Sequence, residues 1–400
     1  MHRTVEPPIP PSLWSRDFSL ICLSNFFVFV NFQLLLPTLP LFVHTVGGPE
    51  GTAGWVIGVF TLAAVAIRPW IGRIIDRKGS GKALRWGLLL FFLSTLGYLW
   101  IEAVIPLLLL RIAHGLTWGV VTTAAGTVAS DLMPPSRRGE GMGVYGLFSN
   151  VSLVFGPALG LWVVQTHSFS ALFYLAAGLA LASFATAKWI PLLSHPIASD
   201  SEPAANKPTI LAATWLPSAM VLLVFLTLGA AATYVPLFAM ERGIPHTGWF
   251  FTVYAVAMML TRIWSGKQFD RGGPQRVIPI GLALIVGSLT ALSLTRDPAM
   301  LLTAAALYGF GLGSVQPALQ AWTIQRTPPG TRGKANSTFF TAIDLGIGLG
   351  SILAGILVQQ TGYPAMFLAF IIPVVGAALL YAFTNRKKAL VSDRADQSSP

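Results

Sequence analysis

Arg68-Pro69-Trp70-Ile71-Gly72-Arg73-Ile74-Ile75-Asp76-Arg77-Lys78-Gly79 closes one long apolar run and opens a densely basic loop. It returns as Arg262-Ile263-Trp264-Ser265-Gly266-Lys267-Gln268-Phe269-Asp270-Arg271-Gly272-Gly273, and 262 − 68 sets the offset at 194 residues. Arg, Trp, Gly, a base, Asp, Arg and Gly keep their internal spacing in both copies. A charged loop repeated between apolar runs predicts a duplicated membrane bundle whose halves move together.

The composition agrees. Of 400 residues, 54% are hydrophobic and 10% charged, with mean hydropathy +0.67, against about 25% charged in an ordinary soluble protein. The net charge of +11 is spread over loops between apolar runs, a pattern of membrane topology that argues against nucleic acid. Cys22 is the one cysteine, so neither an intrachain disulfide nor a cysteine metal site is expected. The Pro-rich start and Trp14-Ser15-Arg16-Asp17 lead into an apolar run without a small-residue cleavage site, so that run reads as a retained helix.

A spanning helix takes about 20 apolar residues. Twelve such stretches are legible, at 18–42, 52–73, 83–102, 105–130, 139–164, 168–190, 211–240, 247–268, 276–295, 298–324, 333–359 and 363–385. One set of loops holds Arg73, Arg77, Lys82, Arg85, Arg137, Arg138, Lys188, Lys267, Arg271 and Arg332, while the other holds little beyond Arg242 and Arg296. Both termini are therefore expected in the cytoplasm of a cell-membrane protein. The polar, Pro-rich stretch 191–210 reads as a cytoplasmic linker between bundles at 1–190 and 211–400. The 194-residue offset also pairs Gly87 with Gly281, Gly115 with Gly309, Gly119 with Gly313, Arg138-Gly139 with Arg332-Gly333 and Gly156 with Gly350. Internal duplication of this kind marks transporter folds.

The repeated Gly-x-x-x-Asp-Arg-x-Gly loop, the Arg111-x-x-x-Gly115 helix and the six-plus-six layout resemble the major facilitator superfamily, in its 12-helix drug or metabolite:proton antiporter form. The resemblance implies an all-α polytopic membrane protein of two pseudo-symmetric six-helix bundles, working as a monomer. It further implies that Asp76 and Asp270 latch the halves at the positive N-terminal ends of helices eleven and five. Arg73, Arg77, Lys267 and Arg271 would then bridge acids or lipid phosphates, with Gly72, Gly79 and Gly266 allowing close packing and tight turns. Arg68 and Arg262, inside their apolar runs, are expected to snorkel to the interface.

Arg111 lies inside helix four, where a cation must be paired or hydrated. His114 and Trp118 share its face at i+3 and i+7; the resemblance implies proton coupling at Arg111, whose repeat counterpart is Ala305. Gly143, Gly156, Pro157 and Gly160 carry much of the antiporter signature on helix five, which departs from it at Ser152 and Leu161. Asp344 is expected about 16 Å into helix eleven, where an acid usually faces a cavity and can take a proton or a substrate cation. Its counterpart is Asn150. Asn25, Asn31, Gln33, Asn150, Tyr234, Gln316 and Gln320 are candidate cavity lining, with aromatic walls from Trp118 and Trp322. Interhelical hydrogen bonding is the competing reading for each.

No Walker, His-Glu-x-x-His or Gly-x-Ser-x-Gly pattern is present, so neither enzyme activity nor a cofactor is expected. The expected function is proton-coupled efflux of a small amphiphilic or zwitterionic molecule. Arg68-Pro69-Trp70 and Glu140-Gly141-Met142-Gly143-Val144-Tyr145 also resemble exporters of staphylopine-type opine metallophores. That resemblance would make Arg111 and His114 carboxylate partners and Asp344 an amine partner. A nutrient importer and a non-transporting sensor are the alternatives.

Overall fold

The computed structural model describes residues 14–134, 137–190, 207–272, 274–327 and 332–383. Eleven α-helices follow in order: α1 (Arg16–Thr45), α2 (Glu50–Lys78), α3 (Ser80–Leu96), α4 (Val104–Leu132), α5 (Arg138–Thr166), α6 (Phe169–Lys188), α7 (Lys207–Glu241), α8 (Gly248–Gly272), α9 (Pro274–Leu294), α10 (Pro298–Gln325) and α11 (Arg332–Ala369). Gly362, at φ 76°, breaks α11, and helical residues 363–383 then run back beside α7. Tyr363 lies against Tyr234 and Phe238, and Gly376 lies near Leu223. With that arm counted, the described residues form twelve long helical segments. The expected linker 191–210 falls mostly outside the described residues.

Ser15 caps α1 by accepting from the Phe18 amide at 3.1 Å, and Ser168 caps α6 in the same way from Ala171. The charged loops differ from expectation. α2 continues through Asp76-Arg77-Lys78, and Gly79 at φ 87° is the whole break before α3. Arg, Ile and Lys are good enough helix formers to extend the span beyond its apolar part until a glycine can turn the chain. Around Gly72, by contrast, there is open space, so no close packing depends on it.

The 194-residue offset holds in three dimensions. Gly115 of α4 rests on the Phe60 carbonyl of α2, and Gly309 of α10 on the Tyr254 carbonyl of α8. Gly119 meets Ala64, and Gly313 meets Met258; Gly87 meets Val121, and Gly281 meets Val315. Each contact and its copy differ by the same offset, so the two bundles share one packing skeleton. Small residues at these crossings let helices approach where lipid offers no hydrophobic drive.

Two seams join the bundles. α2 runs antiparallel to α11: Gly51 meets Gln359, Gly54 meets Ser351, Gly58 meets Ile352, and Thr61 meets Gly348. α5 and α8 meet where Gly248 lies 3.3 Å from Ala158, measured from the position a Cβ would take. Leu36, Ala53, Ile57 and Leu161 of the first half also enter the second half's apolar core. All of these contacts sit away from the end that carries the basic loops.

Candidate functional site

Further along the α2–α11 seam, toward the basic end, the glycines give way to charge. Arg68 Nη1 lies 2.6 Å from Asp344 Oδ2. Arg68 is ten residues before Lys78 and Asp344 twelve after Arg332, placing both about 15–18 Å from the basic end of their helices. Each side chain is 23% exposed, so the pair is half-buried between the halves. Asp344 Oδ2 has no other partner among the described residues. Arg68 was expected at the interface; the antiparallel register brings it to an acid of the opposite half instead. A cation with a counter-ion in reach has no need to snorkel.

Arg111 and His114 are together but elsewhere. Arg111 is 1% exposed, donates from Nε to the Val56 carbonyl at 2.8 Å and from Nη1 to the Tyr98 hydroxyl at 3.3 Å. Its guanidinium stands 4.0 Å over the Phe60 ring. His114 shares a hydrogen bond with Tyr98 through Nδ1 at 3.0 Å and another with Thr95 through Nε2 at 3.4 Å. Trp118 stacks on Phe32 at 4.4 Å beside Phe29. These partners belong to α1, α2, α3 and the 3-10 turn that follows α3, all in the first bundle. The cluster is enclosed, so the geometry puts no Arg111 or His114 donor beside Asp344.

Two of the amides tie helices together. Asn25 Nδ2 donates to Ser149 Oγ at 2.7 Å, joining α1 to α5. Asn31 Nδ2 donates to the Ala176 carbonyl at 2.8 Å, joining α1 to α6, while its Oδ1 and Gln33 Oε1 are buried acceptors without a hydrogen bond among the described residues. Asn150 is half-buried on α5, and Gln316 and Gln320 are half-buried on α10. Tyr234 is fully buried on α7 and points its hydroxyl at Gly54 and Gly355, bracing the seam from behind. Trp322 packs on Tyr381 at 5.8 Å. On α5, Gly156 abuts Gln33 and Gly160 abuts Leu34, with Pro157 inside the helix. Pro157 removes one backbone bond, as spanning helices tolerate.

Arg73 is exposed at the end of α2. The side chains of Asp76, Arg77, Lys267, Asp270 and Arg271, and the surroundings of Gly143 and Gly266, lie outside the described residues. Among the described residues no group of three His, Cys, Asp or Glu could hold a metal ion.

Sequence and structure comparisons agree with this architecture. The chain is 26% identical over 346 residues to the staphylopine export protein of Staphylococcus aureus, covering 82% of this chain and 86% of that one. It is 27% identical over 396 residues to the uncharacterized MFS-type transporter YhhS of Escherichia coli, covering 96% of each. A peptide transporter crystallised with sulfate superposes with TM-score 0.76 at 14% identity, over 93% of this chain and 94% of that one. A bacterial homologue of the lysosomal transporter Spinster, inward-facing and unoccupied, superposes with TM-score 0.74 at 15% identity, over 92% and 96%. The model of the Major Facilitator Superfamily matches residues 21–247 and 243–398, and the chain belongs to that family of multi-pass membrane transporters.

Proposed function

We propose that this transporter exports a small amphiphilic or zwitterionic molecule from the cell in exchange for protons, with both termini in the cytoplasm. The observation that carries the reading is the Arg68–Asp344 pair. It links the halves well inside the membrane-spanning layer, where any rocking motion must stretch or break it. Arginine keeps its charge throughout, so the titrating member is Asp344. A proton on Asp344 removes the attraction; an ammonium group on the cargo replaces it. Proton and cargo then compete for one carboxylate, which is the minimum an exchanger requires.

A zwitterion satisfies both members at once, with its ammonium on Asp344 and its carboxylate on the released Arg68. This assigns Arg68 the carboxylate role that sequence reasoning gave to Arg111 and His114. The similarity to a staphylopine export protein favours an opine-type metallophore as the specific cargo. The seams meet at the end away from the basic loops, which in this orientation is the outer face, so cargo would enter from the cytoplasm. The latch role of Asp76 and Asp270 rests on the repeated motif and the family resemblance.

The test uses inside-out membrane vesicles with an acid interior and staphylopine as probe. Wild-type protein is expected to accumulate the probe and release protons. Asp344→Asn is expected to lower gradient-driven uptake at least about tenfold. It also leaves Arg68 without its counter-ion, at a cost of about 1–3 kcal/mol for a partly exposed pair. Uptake by the variant that still follows the proton gradient at the wild-type rate would sink the coupling role. Accumulation in right-side-out vesicles alone would make the protein an importer.

A further inference from the structure

Away from the transport pathway, α3 carries a bilayer-facing feature that the proposed function leaves unused. Two grooves flank this helix where it leaves the basic end. The larger, about 810 Å³, lies between α2, α3 and α4 and includes Lys82, Trp86, Leu90, Ile71 and Leu116 in its lining. The smaller, about 430 Å³, lies between α3 and α6 and is lined by Lys82, Arg85, Trp86, Leu89, Phe184 and Lys188. Lys82 and Trp86 belong to both. Trp86, 66% exposed, is the ridge between them, one helical turn above Lys82.

The grooves pair an apolar body with a basic mouth. The larger follows α3 from Ala83 to Ser94, about 16 Å at the helical rise, which is the scale of much of an acyl chain. The charged residues lining the two grooves are Lys82, Arg85 and Lys188, all cations. Arg85 Nη2 donates to the Lys188 and Ile190 carbonyls, at 3.2 and 2.7 Å, fixing the end of α6 beside α3. Lys82 and Lys188 are exposed. Asp131, which accepts from Ser80 Oγ at 3.2 Å, lines neither groove. Trp189, 67% exposed, adds a second indole at the same level, as expected at a membrane–water interface.

We propose that this surface binds one anionic diacyl phospholipid of the bilayer, straddling α3, with its phosphate between Lys82 and Lys188 and one chain in each groove. Charge complementarity selects an anionic headgroup, and two apolar channels meeting at one cation select two chains. The site belongs to the first half alone. Its repeat counterparts are Arg276, Pro279, Ile280 and Ala382, which keep one cation and lose the indole and the second lysine.

The test is lipid retention by the purified full chain in detergent, read by native mass spectrometry. The probes are dioleoyl phosphatidylglycerol, dioleoyl phosphatidylcholine and chain-less glycerol 3-phosphate. One phosphatidylglycerol should be retained well above phosphatidylcholine, and glycerol 3-phosphate should not bind. Lys82→Gln with Lys188→Gln should weaken phosphatidylglycerol about 25-fold, at about fivefold per lysine. Lys82→Arg with Lys188→Arg should keep it, and Arg276→Gln should leave it unchanged. If the double glutamine variant is not monodisperse, the single variants carry the test at about fivefold each. Undiminished phosphatidylglycerol retention in the glutamine variants, equal retention of phosphatidylcholine, or equally tight glycerol 3-phosphate would each overturn the site.

Discussion

The α2–α11 and α5–α8 seams occupy matching places in the repeat and are built differently. α2–α11 is a long antiparallel contact with Gly51, Gly54, Gly58, Gly348 and Gly355 at backbone range, ending in the Arg68–Asp344 pair. On α5–α8, the Cβ position of Gly248 lies 3.3 Å from Ala158, a tight contact short of a clash, beside a crevice lined by Trp162, His246 and Trp249. The offset carries Arg68 to Arg262 but Asp344 to Asn150. The repeat therefore keeps the arginine in both copies and the acid in one, and that acid is the one that meets Arg68. A scaffold repeated in outline thus differs in charge at corresponding positions, and the α2–α11 seam carries an ion pair between the bundles.

The largest expected way to break this contrast is Gly54→Leu. Any side chain there runs into the Ser351 carbonyl, and overpacking of about 1–3 kcal/mol shifts the balance of conformers about 5–150-fold toward an opened seam. A cysteine placed by Ile57→Cys, now fully buried, should then label at a much higher rate, against a background limited to buried Cys22. An unchanged rate would mean that the seam does not depend on glycine contact. Asn150→Asp should have a middling effect by giving the second seam an acid. Transport is expected to slow about threefold to tenfold and its pH profile to gain a second step; a profile identical to wild type would show that position 150 does not face Arg262. The smallest effect is expected from Gly248→Ala. A Cβ there sits 3.3 Å from Ala158, so flux should stay within about twofold and stability within about 0.5 kcal/mol. A large loss would show that the two seams carry equal weight.

The interiors of the halves repeat the lesson. His114 becomes Tyr308, Phe60 becomes Tyr254, and Arg111, Tyr98 and Thr95 become Ala305, Leu292 and Leu289 across the offset. Tyr308 still finds a partner, the Thr227 hydroxyl at 2.7 Å. The first half instead encloses a cation satisfied by a carbonyl, a phenol and a ring face. Sequence reasoning recognised Arg111 as costly and asymmetric, and took a proton-coupling role for it from the family resemblance. It could not see that Val56 and Tyr98, 55 and 13 residues away, supply the compensation inside one bundle.

Spans, repeat and family were legible because they rest on linear properties. Apolar run length, basic loops and glycine spacing can be counted along the chain, and helices satisfy their own backbone within each segment. The ends of α2 and α8 were harder to read, since polar helix continues past the apolar part and hydropathy stops at the membrane. Ion-pair and hydrogen-bond partners were not legible. Whether Arg68 reaches lipid headgroups or Asp344 depends on how two helices of opposite halves are set in register, and nothing local to either helix encodes that. The amino-acid sequence by itself determined a duplicated twelve-span transporter and named its two asymmetric charges. Only the tertiary structure decided that Arg111 serves the interior of one bundle while Asp344 holds the other half, because partners for buried charge are chosen by packing across distance, not by spacing along the chain.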